Sequence, residues 1–419
     1  MQVETSRRFG IIGGGFFFAI TGMANPFFTL YASETGASTL AIGMIVTLRA
    51  LLPIIIALPS GQLIDSIGPM RMLQFGAALL LLSLVNTVFA VSVPMLAVSQ
   101  LLMGASIIIM AAAFQVLVST GDRETRNKTI NTYSMWMSGG GMVGPLIGGL
   151  ISSRFAIPIE GYRFCFIAAA GATAVFMVVL AWLSRSYPHP TAARAEIKAI
   201  LSVKGVTGSY RSGIDLTAER SVQFGLVGTF IIMYIQALYS SFLPLYLDEF
   251  GYSALQIATI LAWQGLAAVL SRLVINVLMR RFSLERILSA AGFVAAFCVV
   301  LTPFVAPNLI LTYVLIFVLG AATGVNLPVS LMIMVDAVGE DQRGKLMGLR
   351  LLVNRFSQTV SPAIFGILGS FAGLTAAFFT GGAVLVATMI GFSAYAGRVT
   401  RDRAIAAAEL SPQQAQQED

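Results

Sequence analysis

Three arginines lie deep inside long apolar runs of this chain, where a charge is costly. They are Arg49, Arg272 and Arg355. A guanidinium stays protonated and carries five N–H donors in a planar fork that fits a carboxylate or a phosphate. Because a central arginine costs about 2.5–3.5 kcal/mol to insert into hydrocarbon, such residues face water, a ligand or a polar partner. The pattern favours recognition of an anion. A structural role toward carbonyls and amides of neighbouring helices and a role in gating are the alternatives.

Other polar and aromatic side chains occur in the same apolar runs, and we expect them to share a cavity with the arginines. They are Asn25, Gln115, Gln236, Tyr239, Asn326, Trp136 and Trp263. Amides and hydroxyls bind polar groups, and an indole stacks on a flat ligand. Each of them has an ordinary alternative as an interhelical packing residue. No Asp or Glu lies deep in an apolar run, so the buried carboxylate typical of cation binding is missing from the sequence.

The elements that carry these residues are predicted to be membrane-spanning helices. The chain has 419 residues, of which 57% are hydrophobic and 11% are charged, whereas a soluble domain has about 25% charged residues. Apolar runs of about 20 residues recur, which is the length that crosses a bilayer as a helix. We predict an all-α membrane protein with twelve spans at about 9–31, 40–64, 72–91, 95–119, 130–152, 162–184, 223–247, 254–279, 287–306, 309–335, 346–370 and 374–396.

The chain repeats itself. Gly121–Gly149 has an echo in Val338–Gly366, in which Arg126, Pro145 and Gly149 match Arg343, Pro362 and Gly366. A second echo joins Gly61–Leu73 to Asn276–Leu288. Repeated halves in an apolar chain are typical of secondary transporters, with a substrate site between the halves. We predict two pseudo-symmetric six-helix bundles at 1–184 and 223–397, a cytoplasmic linker at 185–222 and a disordered cytoplasmic tail at 398–419.

The charges indicate an orientation. The net charge is +7, and most of the 26 Lys and Arg residues fall at the two termini and in the even-numbered connections. The positive-inside rule then places both termini in the cytoplasm of a plasma membrane, such as a bacterial inner membrane. No basic stripe on a soluble domain suggests nucleic acid. The two cysteines, Cys165 and Cys298, have no metal or disulfide spacing, and with no catalytic constellation we expect neither an enzyme nor a cofactor.

One short motif resembles a family signature. The segment from Gly61 through Asp65 and Gly68 to Arg71 resembles the loop 2–3 signature of the major facilitator superfamily, with Ser66 standing where that pattern has an arginine. The resemblance implies the twelve-helix fold and a gate on the cytoplasmic side, in which Asp65 meets the start of helix 11. Gly61 would allow close helix packing and Gly68 a sharp turn.

A second motif lies in helix 5. Gly140, Gly144, Pro145, Gly148 and Gly149 resemble the glycine motif of exporting, antiporter branches of the same superfamily. Glycines spaced by four leave a smooth helix face. We expect this face to meet helix 8 across the two bundles and to let them rock, and packing inside one bundle is the alternative.

The sequence therefore predicts a secondary active transporter of a small solute, with an organic anion as the favoured cargo. The arginines resemble those of organic-anion branches such as oxalate–formate exchangers, which carry basic residues on helices 8 and 11. Efflux of amphipathic drugs is the alternative, since 18 Met and 28 Phe suit varied ligands. A non-transporting membrane sensor is a third. The expected partners are the substrate, a counter-transported solute or proton and the lipid bilayer, and we expect a monomer.

Overall fold

The computed structural model describes residues 2–119, 123–185, 215–339 and 342–415. The first half forms α1 (Gln2–Glu34), α2 (Thr39–Ile67), α3 (Pro69–Val88), α4 (Val93–Val118), α5 (Arg123–Ser152) and α6 (Pro158–Ser184). A 3₁₀ turn (Asp215–Ala218) precedes the second half. That half forms α7 (Arg220–Glu249), α8 (Ala254–Met279), α9 (Leu284–Val305) and α10 (Leu309–Val335), and then one long helix (Arg343–Ala415).

The long final helix is broken at Gly373, which has φ 80° and ψ 161°. This conformation is open to glycine and strained for other residues. We call the arm before the break α11 (343–372) and the arm after it α12 (374–415). The helix runs to Ala415, so the tail that we expected to be disordered after Arg398 is helical over its described part. Its alanine-rich sequence has high helix propensity, which explains the difference. Most of the predicted linker, residues 186–214, lies outside the described part of the chain.

Matching loops begin the second helix of each half. The first has Gly36 at φ 85° followed by Ser38, which caps α2, and the other has Gly251 at φ 76° followed by Ser253, which caps α8. Each serine hydroxyl accepts a hydrogen bond from the third residue beyond it, Ala41 or Gln256. A left-handed glycine and an N-cap serine are typical of a sharp turn into a helix. The repeat therefore extends to the details of the turns.

The two halves also pack alike. In the first half α1 packs on α5, α2 on α4 and α3 on both α4 and α6. In the second half α7 packs on the long final helix, α8 on α10, and α9 on both α10 and the long final helix. Hydrogen bonds from Ser357 to the Phe230 carbonyl and from Ser361 to the Tyr234 carbonyl, both 2.7 Å, assign the α7 contact to α11. Gly292 and Met389 bring α9 and α12 together.

Ten helices in the described part of the chain are long and apolar enough to cross a membrane, and one of them covers the 53 residues Leu346–Arg398 that include the break at Gly373. The predicted all-α membrane fold is confirmed. Three of the helix 5 glycines, however, do not meet helix 8, whereas Gly149 does. Gly140, Gly144 and Gly148 pack on α1, against Gly15, Ala19 and Phe27 respectively. Our expectation of a seam between the bundles is corrected for these three glycines, which close the first bundle internally.

Candidate functional site

A cavity of about 470 Å³ lies between the two bundles. Eight helices contribute to its wall, four from each half. Its polar lining comprises Thr21, Asn25, Arg49, Gln236, Ser240, Ser241, Gln264, Thr323, Arg355 and Gln358. Its apolar lining includes Phe17, Phe18, Val46, Ile107, Leu261 and Pro145. The wall thus combines an apolar surface with a few convergent polar groups, as small-molecule sites do.

The bundles touch at one end of the cavity. A Cβ atom added to Gly43 of α2 would lie 2.6 Å from the Pro362 carbonyl oxygen and 2.8 Å from the Gly366 Cα of α11. A Cβ atom added to Gly149 of α5 would lie 2.5 Å from the Ala258 Cβ of α8. These residues lie near the loops that carry Gly36 and Gly251. We call this end of the molecule the closed end.

The bundles diverge toward the other end. On α5 the residues Gly149 and Met142 face α8, and on α8 the residues Ala258 and Gly265 face α5, with Met142 against Gly265. Seven residues make about two helical turns, so the next members of these stripes are Met135 and Arg272. Both are exposed, Met135 to 74%. The end of the molecule that carries these two residues is the open end.

Arg49 enters the cavity from the first bundle. Its Nη1 donates a hydrogen bond of 2.9 Å to Asn25 Oδ1, which joins α2 to α1. Gly104 of α4 lies directly against the Arg49 main-chain carbonyl, so the helix beneath the arginine is fixed. A guanidinium has five N–H donors, so the single acceptor on Asn25 leaves Arg49 with donors for a ligand.

Arg355 enters from the second bundle. Its Nη1 donates a hydrogen bond of 3.1 Å to Gln358 Oε1, one turn farther along α11. Its Nε is buried and has no hydrogen-bond partner among the described residues. Ser357 and Ser361 hold the opposite face of α11 on α7 and so aim Arg355 at the cavity.

The described lining of the cavity contains no carboxylate to neutralise either arginine. Glu34, Asp248 and Glu249 end α1 and α7 at the closed end, and Asp336 caps the far end of α10. Two uncompensated cations in one partly desolvated site attract an anion.

The structure brings together Asn25, Arg49, Gln236 and Arg355 from the set chosen on sequence. Arg272 is exposed in the open cleft. Gln115 is exposed on α4, and Asn326 is buried with both amide atoms lacking described partners. Tyr239 is fully buried, and its hydroxyl lies 2.6 Å from Thr302 Oγ1 inside the second bundle.

The two tryptophans lie outside the lining as well. Trp136 packs against Gly15 of α1, and Trp263 contacts Phe317 with ring centroids 5.2 Å apart. Sequence reasoning missed six polar residues of the lining, which are Thr21, Ser240, Ser241, Gln264, Thr323 and Gln358. A polar residue three positions after an arginine on one helix face was the available signal for Gln358.

The structure supports some of the roles predicted for the gate residues and leaves others untested. Gly68 has φ 93° and makes the turn between α2 and α3, with Pro69 starting α3. Arg71 is exposed and engaged in an interaction. Gly61 and Asp65 lie within α2, but their side-chain positions are outside the described part of the structure, so the contact of Asp65 with helix 11 stays a prediction. Pro145 lines the cavity, and Gly149 is the member of the helix 5 motif that meets α8.

Comparison with known proteins decides the family. The family model described as Major Facilitator Superfamily matches residues 10–214 and 225–416. The chain belongs to the Major Facilitator Superfamily. Its repeat, its helix pairing and the central position of its cavity are thus features of a Major Facilitator Superfamily protein.

Curated relatives within the superfamily match over part of their length. The chain is 30% identical over 169 residues to the multidrug resistance protein MdtG of Dickeya zeae (strain Ech586). The matched region covers 39% of this chain and 40% of that protein. It is 28% identical over 181 residues to MdtG of Klebsiella pneumoniae (strain 342), and that match covers 42% of each chain. The chain thus spans about two fifths of the length of these relatives.

Solved structures match nearly the whole fold. The chain is 12% identical to a mutant of the nucleoside transporter NupG, with a TM-score of 0.75 over 94% of this chain and 99% of that one. It is 15% identical to a bacterial homologue of the human lysosomal transporter Spinster in an inward-facing, unoccupied conformation, with a TM-score of 0.75 over 95% and 97%. At these identities the likeness establishes the fold.

Proposed function

We propose that this protein is a secondary transporter that carries a small organic anion by alternating access. The observation that carries the proposal is the pair Arg49 and Arg355, which enter one cavity from opposite bundles without a carboxylate in its described lining. An anion between them would bind both bundles at once. Its affinity would therefore depend on how far apart the bundles stand, which is the coupling that alternating access needs.

The side chains of the cavity wall indicate which chemical class of cargo would bind. Arginine forks pair with carboxylates in two parallel hydrogen bonds. Gln236, Gln264 and Gln358 supply further donors and acceptors, while Phe17, Phe18 and Leu261 cover an apolar body. A cavity of about 470 Å³ suits a small carboxylate with an apolar part. Arg272, on the open stripe of α8, would attract the anion into the cleft.

The orientation follows from the charges at the two ends. Arg8, Arg71, Arg280 and Arg281 lie exposed at the open end, whereas Arg154 is exposed at the closed end. By the positive-inside rule the open end and both termini face the cytoplasm. The structure would then be an inward-facing state in a plasma membrane, such as a bacterial inner membrane. One chain builds both walls of the cavity, so a monomer is the transporting unit.

Exchange is the favoured mode. A cavity that returns empty leaves its two arginines without a counter-charge, which is costly in a partly dry site. A second anion travelling in the opposite direction avoids that cost. A counter-transported anion is therefore the proposed partner in preference to a proton, for which the described lining offers no carboxylate.

The test uses purified protein in liposomes loaded with unlabelled malonate. We expect uptake of labelled malonate that requires internal anion. Arg355→Gln should raise the half-saturation concentration about 10-fold to 100-fold, because a hydrogen bond to a charged group contributes about 1.5–3 kcal/mol. Arg355→Lys should keep part of the affinity, and Arg154→Gln, at the closed end, should change nothing.

Failure has distinct forms. If no carboxylate in a panel is taken up, or if Arg355→Gln and Arg49→Gln transport as the parent does, the anion proposal is overturned. If carboxylates bind and raise the melting temperature without any flux, the protein is a sensor.

A second candidate is efflux of amphipathic compounds, which the similarity to proteins named MdtG favours. The apolar part of the cavity wall is compatible with it. Expression in a pump-deficient bacterium distinguishes the two. Two cargo-binding arginines would repel a cation, so resistance to lipophilic cations would contradict the anion proposal and support efflux of amphipathic compounds. Resistance confined to acidic compounds would support the anion proposal.

A further inference from the structure

Two apolar grooves run side by side on the outer surface of the second bundle. The first has a volume of about 830 Å³ and lies between α8, α9 and α10, where Leu270, Val274, Phe317 and Val318 form its wall. The second has a volume of about 540 Å³ and lies between α9 and α12. Its wall is mostly apolar, with Phe293 and Ala396, and also contains Ser289 and Ser393. These helices are among those long and apolar enough to span the bilayer, so the grooves face lipid.

A single stripe of α9 separates the grooves. Arg286, Ala290 and Val294 line both of them. They are spaced by four residues, which places them in one row along the helix. Arg286 stands at the end of this row in the first turn of α9, at the open end of the molecule. Two apolar channels therefore converge on one exposed guanidinium.

The surroundings of Arg286 are positively charged. Arg280 and Arg281 are exposed in the turn before α9. The first turn of a helix also presents main-chain N–H groups and the positive end of the helix dipole. Glu285, the adjacent carboxylate, is buried and already engaged in an interaction. Among the described residues, the exposed Arg280 and Arg281 would thus favour an anionic group at this position.

The first half of the chain does not repeat this arrangement. In the internal echo Arg286 corresponds to Arg71 and Arg280 corresponds to Asp65. A carboxylate thus stands in the first half where the second half has a further arginine. The basic cluster belongs to the second half alone, so the repeat itself does not require it.

We propose that this surface is a specific binding site for an anionic diacyl phospholipid. The phosphate contacts Arg286, with Arg280 and Arg281 beside it, and one acyl chain lies in each groove astride the row from Arg286 to Val294. An anionic headgroup is selected because the three exposed charges share one sign, and two acyl chains are selected because two grooves meet at one arginine. This inference does not depend on the cargo.

The experiment measures lipid binding to the delipidated full-length protein in detergent, by native mass spectrometry and by melting. The added lipids are dioleoylphosphatidylglycerol, dioleoylphosphatidylcholine and lysophosphatidylglycerol. We expect the diacyl anionic lipid to bind at least 10-fold more tightly than the other two and to raise the melting temperature most.

Two variants test the two parts of the site. Arg286→Gln should remove the preference for the anionic headgroup, and Arg286→Lys should restore it. Ala290→Trp fills the row between the grooves and should weaken diacyl binding with the charge intact. The matched controls are Arg154→Gln, an exposed arginine at the closed end, and Val175→Trp, on the exposed face of α6; both should bind lipid as the parent does.

Equal binding of the phosphatidylcholine would overturn the proposal, since it would indicate an unselective lipid shell. Parent-like binding by Arg286→Gln would overturn it too. If lysophosphatidylglycerol binds as tightly as the diacyl lipid, the two-groove assignment fails.

Discussion

Gly43 of α2 and Gly366 of α11 face each other across the bundles with no side chain between them. A Cβ atom added to Gly43 would lie 2.8 Å from the Gly366 Cα, and one added to Gly366 would lie 2.9 Å from the Gly43 Cα. Close by, the Thr47 hydroxyl of α2 donates a hydrogen bond of 3.2 Å to the Thr359 carbonyl oxygen of α11. This backbone contact closes one end of the cavity.

Enlarging Gly43 is expected to shift the conformational equilibrium. Gly43→Val should force α2 away from α11 and destabilise the closed end by about 1–3 kcal/mol, as overpacking does elsewhere. The open end should then close more often. Labelling of a cysteine introduced at Met135 should fall about 5-fold or more, against a background in which Cys165 and Cys298 are buried. Unchanged labelling would show that this contact does not set the conformation.

The glycines between α1 and α5 should affect stability of the first bundle. Gly144→Ala would place a methyl group against the Ala19 carbonyl oxygen, which should destabilise the fold by about 1–3 kcal/mol. Gly141→Ala is the matched control, because nothing lies within 4 Å of its added Cβ. Melting of both variants in one detergent measures the difference. A parent-like melting temperature for Gly144→Ala would contradict the tight packing.

Tyr239 should be structural. Tyr239→Phe removes the hydroxyl that lies 2.6 Å from Thr302 Oγ1, so the free energy of unfolding should fall by about 0.5–1.5 kcal/mol. Cargo affinity should not change, since Tyr239 is outside the cavity lining. Combining it with Thr302→Val should cost less than the sum of the single changes. A change in half-saturation concentration would place the residue in the site.

Asn25 should control the charge of the site through Arg49. Asn25→Asp puts a carboxylate where Oδ1 now accepts a bond of 2.9 Å from Arg49. The new ion pair should reduce anion affinity about 10-fold or more, because it neutralises one of the two cavity cations. Asn308→Asp is the control, since either residue caps α10. Anion uptake measures both, and parent-like affinity in Asn25→Asp would exclude Arg49 from cargo binding.

The sequence predicted the helices well because apolar length and internal repetition are strong signals. It also placed Arg49 and Arg355 near one another, since both lie at mid-depth on helices of opposite halves. Which helices pack against each other was harder to predict. Gly140 and Gly144 offered a smooth face, but the sequence did not say which helix would use it, and α1 does.

Side-chain direction was the other limit. One residue of register turns a side chain by about 100° around a helix. Trp263 and Gln264 show the result, because the tryptophan packs on Phe317 while the glutamine lines the cavity. Asn326 and Tyr239 are both buried within the second bundle. The Tyr239 hydroxyl is hydrogen-bonded to Thr302, whereas neither amide atom of Asn326 has a partner among the described residues.

The contacts of Gly140, Gly144 and Gly148 with α1 have a mechanical consequence. Main chains in direct contact allow little relative movement, so α1 and α5 would tilt together as one rigid pair about the level of the cavity. With an arm of about 20 Å, half the length of a spanning helix of 26 residues, a 10° tilt displaces each tip by about 3.5 Å in opposite directions. Such a rigid pair cannot move toward the second bundle at both ends at once, and its pivot lies at the level of the cavity that Arg49 and Arg355 line.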